Sequence, residues 1–185
     1  MAEENGVERE LKFHCADLSS LREKLTEGEA DRVSASSRED NLVFDRGGEV
    51  AAKGCILRLR RDGKGARLTF KGPPRVDESG ARVREERETR LEDPDAVERI
   101  LEHLGFEVAT RYQKDREEWL VGGVTVCLDR TPIGDFAEFE GEGSERLAER
   151  FGFPAEESEP RNYLKLYSDY RKENPDAPED MVFPE

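Results

Sequence analysis

Apolar and polar residues alternate along this chain in two rhythms. The helical rhythm, with apolar positions three and four apart, appears in four segments. "DLSSLREKLTEGE" (17–29) has a stripe of Leu18, Leu21 and Leu25, with Asp17 or Ser19 placed to cap it. "DPDAVERILEHLGF" (93–106) carries Asp93 as N-cap, Pro94 in the first turn, an inner stripe of Val97, Ile100, Leu101 and Leu104, and Gly105 as the stop. "SERLAERFGF" (144–153) is shorter, and "PRNYLKLYSDYRKE" (160–173) spaces Tyr163, Leu166, Tyr167 and Tyr170 helically. Strand alternation fills the gaps. It marks "VERELKF" (7–13), a strand ending in "NLVFD" (41–45), and a hairpin around "DGKG" within 55–72. A long polar strand (81–91), a second hairpin turning at "VGGV" (111–130) and a last strand (133–142) follow. Strands joined by hairpins and interrupted by a few helices predict an antiparallel α+β fold. One domain is expected over residues 1–173, followed by an acidic, proline-containing tail (174–185) that is mobile or loosely docked.

The polar faces of these strands share an unusual feature. In "VERELKF" Glu8, Glu10 and Lys12 point one way, opposite Leu11 and Phe13. For one strand that would mean solvent exposure. The same parity recurs with Arg58 and Arg60, with Thr69 and Lys71, and with Arg84, Glu86 and Glu88. It recurs again with Lys114 and Arg116, with Cys127 and Asp129, and with Glu138 and Glu140. The signs are also segregated: "LRLR", "FKG" and "KDR" supply bases, whereas "EFE" and the Asp129 strand supply acids. A closed sheet of about eight strands has room inside for side chains or one small ligand. Charged faces turned inward, with apolar faces outside under the helices, give an eight-stranded antiparallel β-barrel with a polar lumen.

Composition narrows what such a lumen could hold. The chain has 185 residues, 40% charged and 35% hydrophobic, with a net charge of −14. That balance argues against nucleic acid and against anionic lipid as partners. Three scattered cysteines (Cys15, Cys55, Cys127) form neither a disulfide framework nor CxxC metal spacing, which fits a reducing cytoplasm. The acidic start "MAEENGVERE" predicts no signal peptide, and no apolar run is long enough to span a membrane. Buried bases and acids are costly unless a ligand completes their neutralisation. Arg forks and Lys ammonium groups match phosphate oxygens, and grouped carboxylates suit Mg²⁺ or Mn²⁺. The expected partner is a small-molecule triphosphate held with divalent metal.

The ordered motifs resemble the CYTH superfamily, the triphosphate tunnel metalloenzymes, which include class IV adenylate cyclases, thiamine triphosphatases and inorganic triphosphatases. The resemblance rests on Glu8-x-Glu10-x-Lys12, "LRLR" (57–60), "LTFKGP" (68–73), Arg84-x-Glu86-x-Glu88, "QKDR" (113–116), "CLDRTPIGDFAEFE" (127–140) and "EPRNYLKLY" (159–167). It implies that Lys12, Arg58, Arg60, Lys71, Arg84, Lys114 and Arg116 bind the triphosphate. It implies Glu8, Glu10, Asp129, Glu138 and Glu140 as metal ligands, with Lys12, Glu10 and Arg58 at the catalytic centre. Glu86 and Glu88 would hold metal or orient the bases. Asn162-Tyr163 stands where the family often has Ser-Tyr, and Thr131-Pro132-Ile133 replaces a looser loop. The expected activity is metal-dependent hydrolysis of a triphosphate. Cyclisation of ATP to cyclic AMP and pyrophosphate is the alternative, and a non-catalytic polyphosphate binder is a further one. His14 is expected on a rim, Cys127 as wall filling, Trp119 and the last helix's tyrosines as packing, and Lys165 in solvent. Both a monomer and a homodimer fit the sequence.

Overall fold

The computed structural model describes residues 6–28, 30–78 and 80–184. Nine strands and five α-helices follow in the order β1 (Val7–His14), α1 (Leu18–Glu27), β2 (Asp31–Asp45), α2 (Glu49–Ala52), β3 (Ile56–Asp62), β4 (Gly65–Lys71), β5 (Arg75–Val76), β6 (Arg82–Leu91), α3 (Pro94–His103), β7 (Glu107–Val121), β8 (Val124–Thr131), β9 (Gly134–Glu140), α4 (Ser144–Phe151) and α5 (Tyr163–Glu173). The strand order is β1-β9-β8-β7-β2-β3-β4-β6-β5, and β1 also pairs with β6. That last pairing closes eight antiparallel strands into a barrel, with the two-residue β5 added outside β6. Closure pairs β1 with β6, while residues 31–39 of β2 extend past β3 and pair on the β7 side only.

Local chemistry sets the element ends. Asp17 caps α1 by accepting from the Ser19 and Ser20 amides, and Asp93 caps α3 through the Ala96 amide. The β7–β8 hairpin turns on Gly122 and Gly123, with φ of 57° and 90°, as a two-residue turn with a twist matching its strands demands. β2 is far longer than "NLVFD" suggests: it pairs with β7 from Asp31↔Leu120 to Asp45↔Glu107. Its first part, "DRVSASSRED", has little β-propensity and is recruited by its partner across register irregularities near Arg32, Ser34 and Ser37.

The apolar core lies outside the barrel wall. Leu11, Phe13, Val126, Leu128, Ala137 and Phe139 face outward and pack under Leu21 and Leu25 of α1 and Leu147 and Ala148 of α4. Phe44 and Leu59 meet Leu101 of α3 on another side. Trp119 belongs to the first of these cores, and its indole donates to the buried Glu117 carboxylate at 3.1 Å. A third cluster closes one end: Tyr163, Leu166 and Tyr167 of α5 pack on Val43, Tyr112 and Phe136. Met181 joins this plug, buried to 1% exposure, and its backbone bridges Tyr112. The segment after α5 therefore carries an anchor that its acidic, proline-containing composition does not reveal. No helix among the described residues is long and apolar enough to cross a membrane.

Candidate active site

Because side chains alternate across every strand, the residues opposite the outer core converge on the lumen. They line a cavity that opens to solvent. Eight basic side chains line it: Lys12, Arg58, Arg60, Lys71, Arg82, Arg84, Lys114 and Arg116. Four acids, Glu8, Glu10, Glu138 and Glu140, share the lining. Glu39, Glu86 and Asp129 stand directly behind these bases, so the site concentrates charge of both signs.

Every base except Arg58 is paired with an acid, and Lys12 is also held by a backbone carbonyl. Glu8 accepts from Lys71 and from Arg84 Nε at 2.8 Å, and Lys71 also pairs with Glu86 at 3.1 Å. Glu10 pairs with Arg82. Lys12 donates to the Arg161 carbonyl at 2.7 Å and lies 3.8 Å from Glu138. Arg60 spans Glu39 at 2.9 Å and the Asn41 side-chain oxygen at 3.2 Å. Arg58 reaches the Tyr112 hydroxyl and Thr69, which in turn donates to Glu88 at 2.8 Å. Asp129 accepts from Lys114 at 2.8 Å, from Arg116 at 2.6 and 2.7 Å and from the Tyr163 hydroxyl at 2.8 Å. The Tyr163 ring lies under the ammonium groups of Lys12 and Lys114, at 4.6 and 5.1 Å from its centroid.

The acids divide into two groups. Glu10, Glu138 and Glu140 each offer an oxygen within 4.8 Å of the others, a hard-oxygen set suited to a divalent cation. Glu8 and Asp129, expected with them from the motif, are not in this trio; their oxygens are turned to Lys71 and Arg84, and to Lys114, Arg116 and Tyr163. Burial and the neighbouring Glu138, Glu10 and Glu8 carboxylates raise the pKa of Glu140 to about 7, against the pull of Arg116. For Glu138 burial also pushes upward, but Arg116, Lys114, Lys12 and Arg82 outweigh it and hold the carboxyl well below its usual range. Lys12 moves down because burial dominates, although Glu138 and Glu10 oppose it.

Other expectations are resolved residue by residue. His14 sits on the rim, tilted against Phe136 and 3.6 Å from Glu159. Cys127 is buried in the wall; burial keeps its thiol protonated, and Sγ lies 3.7 Å from Glu140. Lys165 is exposed and pairs with Asp169. Asn162 replaces the family's Ser without loss, because its side chain caps α5 through the Lys165 amide at 2.8 Å. Glu39, Asn41, Arg82 and Tyr112 were not among the motif residues. Arg82 and Tyr112 continue a parity already set, two residues from Arg84 and Lys114, and that phase is the signal that would have found them; Glu39 and Asn41 lie on β2, where no charged parity marks the inward face.

Comparisons with known proteins agree with this fold. A 28%-identical protein from Pyrococcus horikoshii superposes with a TM-score of 0.72, covering 89% of this chain and 99% of that one. A Vibrio parahaemolyticus protein described as a candidate adenylate cyclase is 23% identical, with a TM-score of 0.76 and coverage of 87% and 97%. A Hippeastrum protein described as a candidate adenylyl cyclase with a dominant triphosphatase activity is 19% identical, with a TM-score of 0.65 and coverage of 88% and 96%. A search of curated proteins finds no significant match. The sequence profile of the CYTH domain matches residues 7–160, which include every strand of the barrel and α4, and the chain belongs to the CYTH domain family.

Proposed function

We propose that this protein is a divalent-metal-dependent phosphohydrolase that binds a triphosphate in the barrel lumen and cleaves its terminal phosphoanhydride. The observation that carries this reading is the convergence of eight bases and a trio of carboxylates on one cavity of an otherwise acidic protein. A polyanion with several oxygen acceptors, held with a divalent cation, complements that set, and Arg forks and Lys ammonium groups suit phosphate oxygens.

In this reading Lys12, Arg58, Arg60, Lys71, Arg84, Lys114 and Arg116 hold the phosphate chain, with Arg82 beside them. Glu10, Glu138 and Glu140 would hold Mg²⁺ or Mn²⁺, which when bound neutralises phosphate charge and favours attack at phosphorus. Glu8, Glu39 and Asp129 orient the bases: each takes two cationic partners at once and so fixes where their remaining N–H groups point. Water attack on the terminal phosphorus releases orthophosphate and a diphosphate. The two aromatic side chains lining the cavity, Tyr112 and Tyr163, are engaged with Arg58 and with Asp129, Lys12 and Lys114. Hydrolysis needs no nucleobase platform, and this favours it over cyclisation.

The test is to incubate the protein with tripolyphosphate, thiamine triphosphate or ATP, each with Mg²⁺ or Mn²⁺, and to follow orthophosphate and cyclic AMP. Orthophosphate release that requires the metal is expected. Cyclic AMP with pyrophosphate would replace hydrolysis by cyclisation, and no turnover of any substrate would leave a polyphosphate binder.

A further inference from the structure

Among the described residues, two neighbouring donors that line the cavity have no acceptor. Arg58 is 6% exposed; its Nη1 donates to the Tyr112 hydroxyl at 3.0 Å and its Nη2 reaches Thr69 at 3.4 Å. Its Nε is buried without a hydrogen-bond partner among the described residues. Tyr112, 7% exposed, lines the same cavity. Its hydroxyl accepts from Arg58 and donates to no acceptor among the described residues. A hydroxyl polarised by a guanidinium is a stronger donor than a free one. Burial raises the phenol's pKa, yet Arg58, Arg60 and Lys114 outweigh it and draw it below its ordinary value. Two idle N–H and O–H donors among three cations call for an anionic oxygen acceptor.

We propose that Tyr112 is a direct hydrogen-bond donor to the phosphate chain, with Arg58 holding its hydroxyl oxygen in place. The residue lies in phase with Lys114 and Arg116 on β7 and opposite Asn41 on β2, so the barrel wall fixes its direction. The inference rests on the triphosphate reading above. It gives the wall a neutral donor beside its cations, one whose contribution resists salt better than an ion pair does.

Tyr112→Phe preserves the ring and removes only the hydroxyl. Titration calorimetry with tripolyphosphate in the presence of chelator separates binding from turnover. Wild-type protein is expected to bind, and Tyr112→Phe to bind about 10- to 100-fold more weakly, the range for losing a hydrogen bond to a charged group. The deficit should persist when salt is raised, whereas a purely structural role would lower the melting temperature and leave affinity of the folded protein unchanged. Equal affinities in a folded variant overturn the proposal and leave the triphosphate reading standing; no binding by the wild type, either with chelator or with Mg²⁺, overturns both. Should Tyr112→Phe fail to fold, Tyr112→3-fluorotyrosine supplies a local readout. Its fluorine resonance is expected to shift on addition of tripolyphosphate, and an unmoved resonance at saturation contradicts the proposal.

Discussion

The two faces of β1, β8 and β9 are built from alternate residues of the same strands and have opposite physics. Outward, Leu11, Phe13, Val126, Leu128, Ala137 and Phe139 bury apolar surface beneath α1 and α4. Each of the larger side chains, the leucines, valine and phenylalanines, contributes about 1.5–3 kcal/mol through removal from water. Inward, Glu10, Lys12, Asp129 and Glu138 are as deeply buried, but they are charged. Taking an ion out of water costs several kcal/mol, and pairing commonly returns no more than that. The inner face is therefore no source of stability, and the outer core must hold the fold against it. A barrel that keeps its hydrophobic core outside frees its interior for binding.

The comparison can be broken most severely from the inside. Glu10→Gln removes one oxygen ligand of the carboxylate trio while keeping its shape. It is expected to lower metal-dependent triphosphate turnover by about 1,000-fold or more, with a melting temperature near that of the wild type. Near-normal turnover would remove Glu10 from the proposed metal set.

A smaller effect separates acid stability from function. Although burial pushes Glu39 upward, Arg60, Lys114, Arg116 and Arg58 hold its carboxyl well below the usual value of 4.5. A group depressed on folding stabilises the protein above its unfolded pKa, and that stabilisation is lost as pH falls toward the folded one. Wild-type unfolding free energy should therefore decline as pH falls from about 5 to about 3. In Glu39→Gln the decline should be shallower, by up to about 1.4 kcal/mol per pH unit. Parallel slopes in urea unfolding would contradict the placement of Glu39 as a buried anion.

The smallest effect concerns α5. Asn162→Ala should cost about 1 kcal/mol through loss of the cap, and Asn162→Ser should stay within a few tenths. Chemical denaturation resolves the two; a costly Ser would mean that Asn162 does more than cap.

Much of this design was legible because strand parity is physical: a side chain pointing inward forces its neighbours outward. All seven motif bases, from Lys12 to Arg116, line the cavity, and the apolar residues opposite them form the outer core. The illegible parts have particular causes. Residues 31–40 are too polar to read as a strand and pair only because β7 lies beside them. Glu39 was lost with that strand. Asp129 shares the parity of Glu138 and Glu140, but parity cannot say which way its carboxylate turns once Lys114, Arg116 and Tyr163 compete for it. Met181 lies in an acidic tail, and its burial depends on a pocket formed by Tyr112 and α5.

Glu138 and Phe139 are adjacent in β9 and point to opposite faces. The most direct test measures tripolyphosphate turnover and unfolding free energy together for wild type, Glu138→Gln and Phe139→Ala. The account predicts that Glu138→Gln stays folded and loses metal-dependent turnover. Phe139→Ala should lose about 3–5 kcal/mol of stability and keep its turnover per folded molecule. Equal loss of activity in both variants, or full activity in Glu138→Gln, would contradict the division of labour between the two faces.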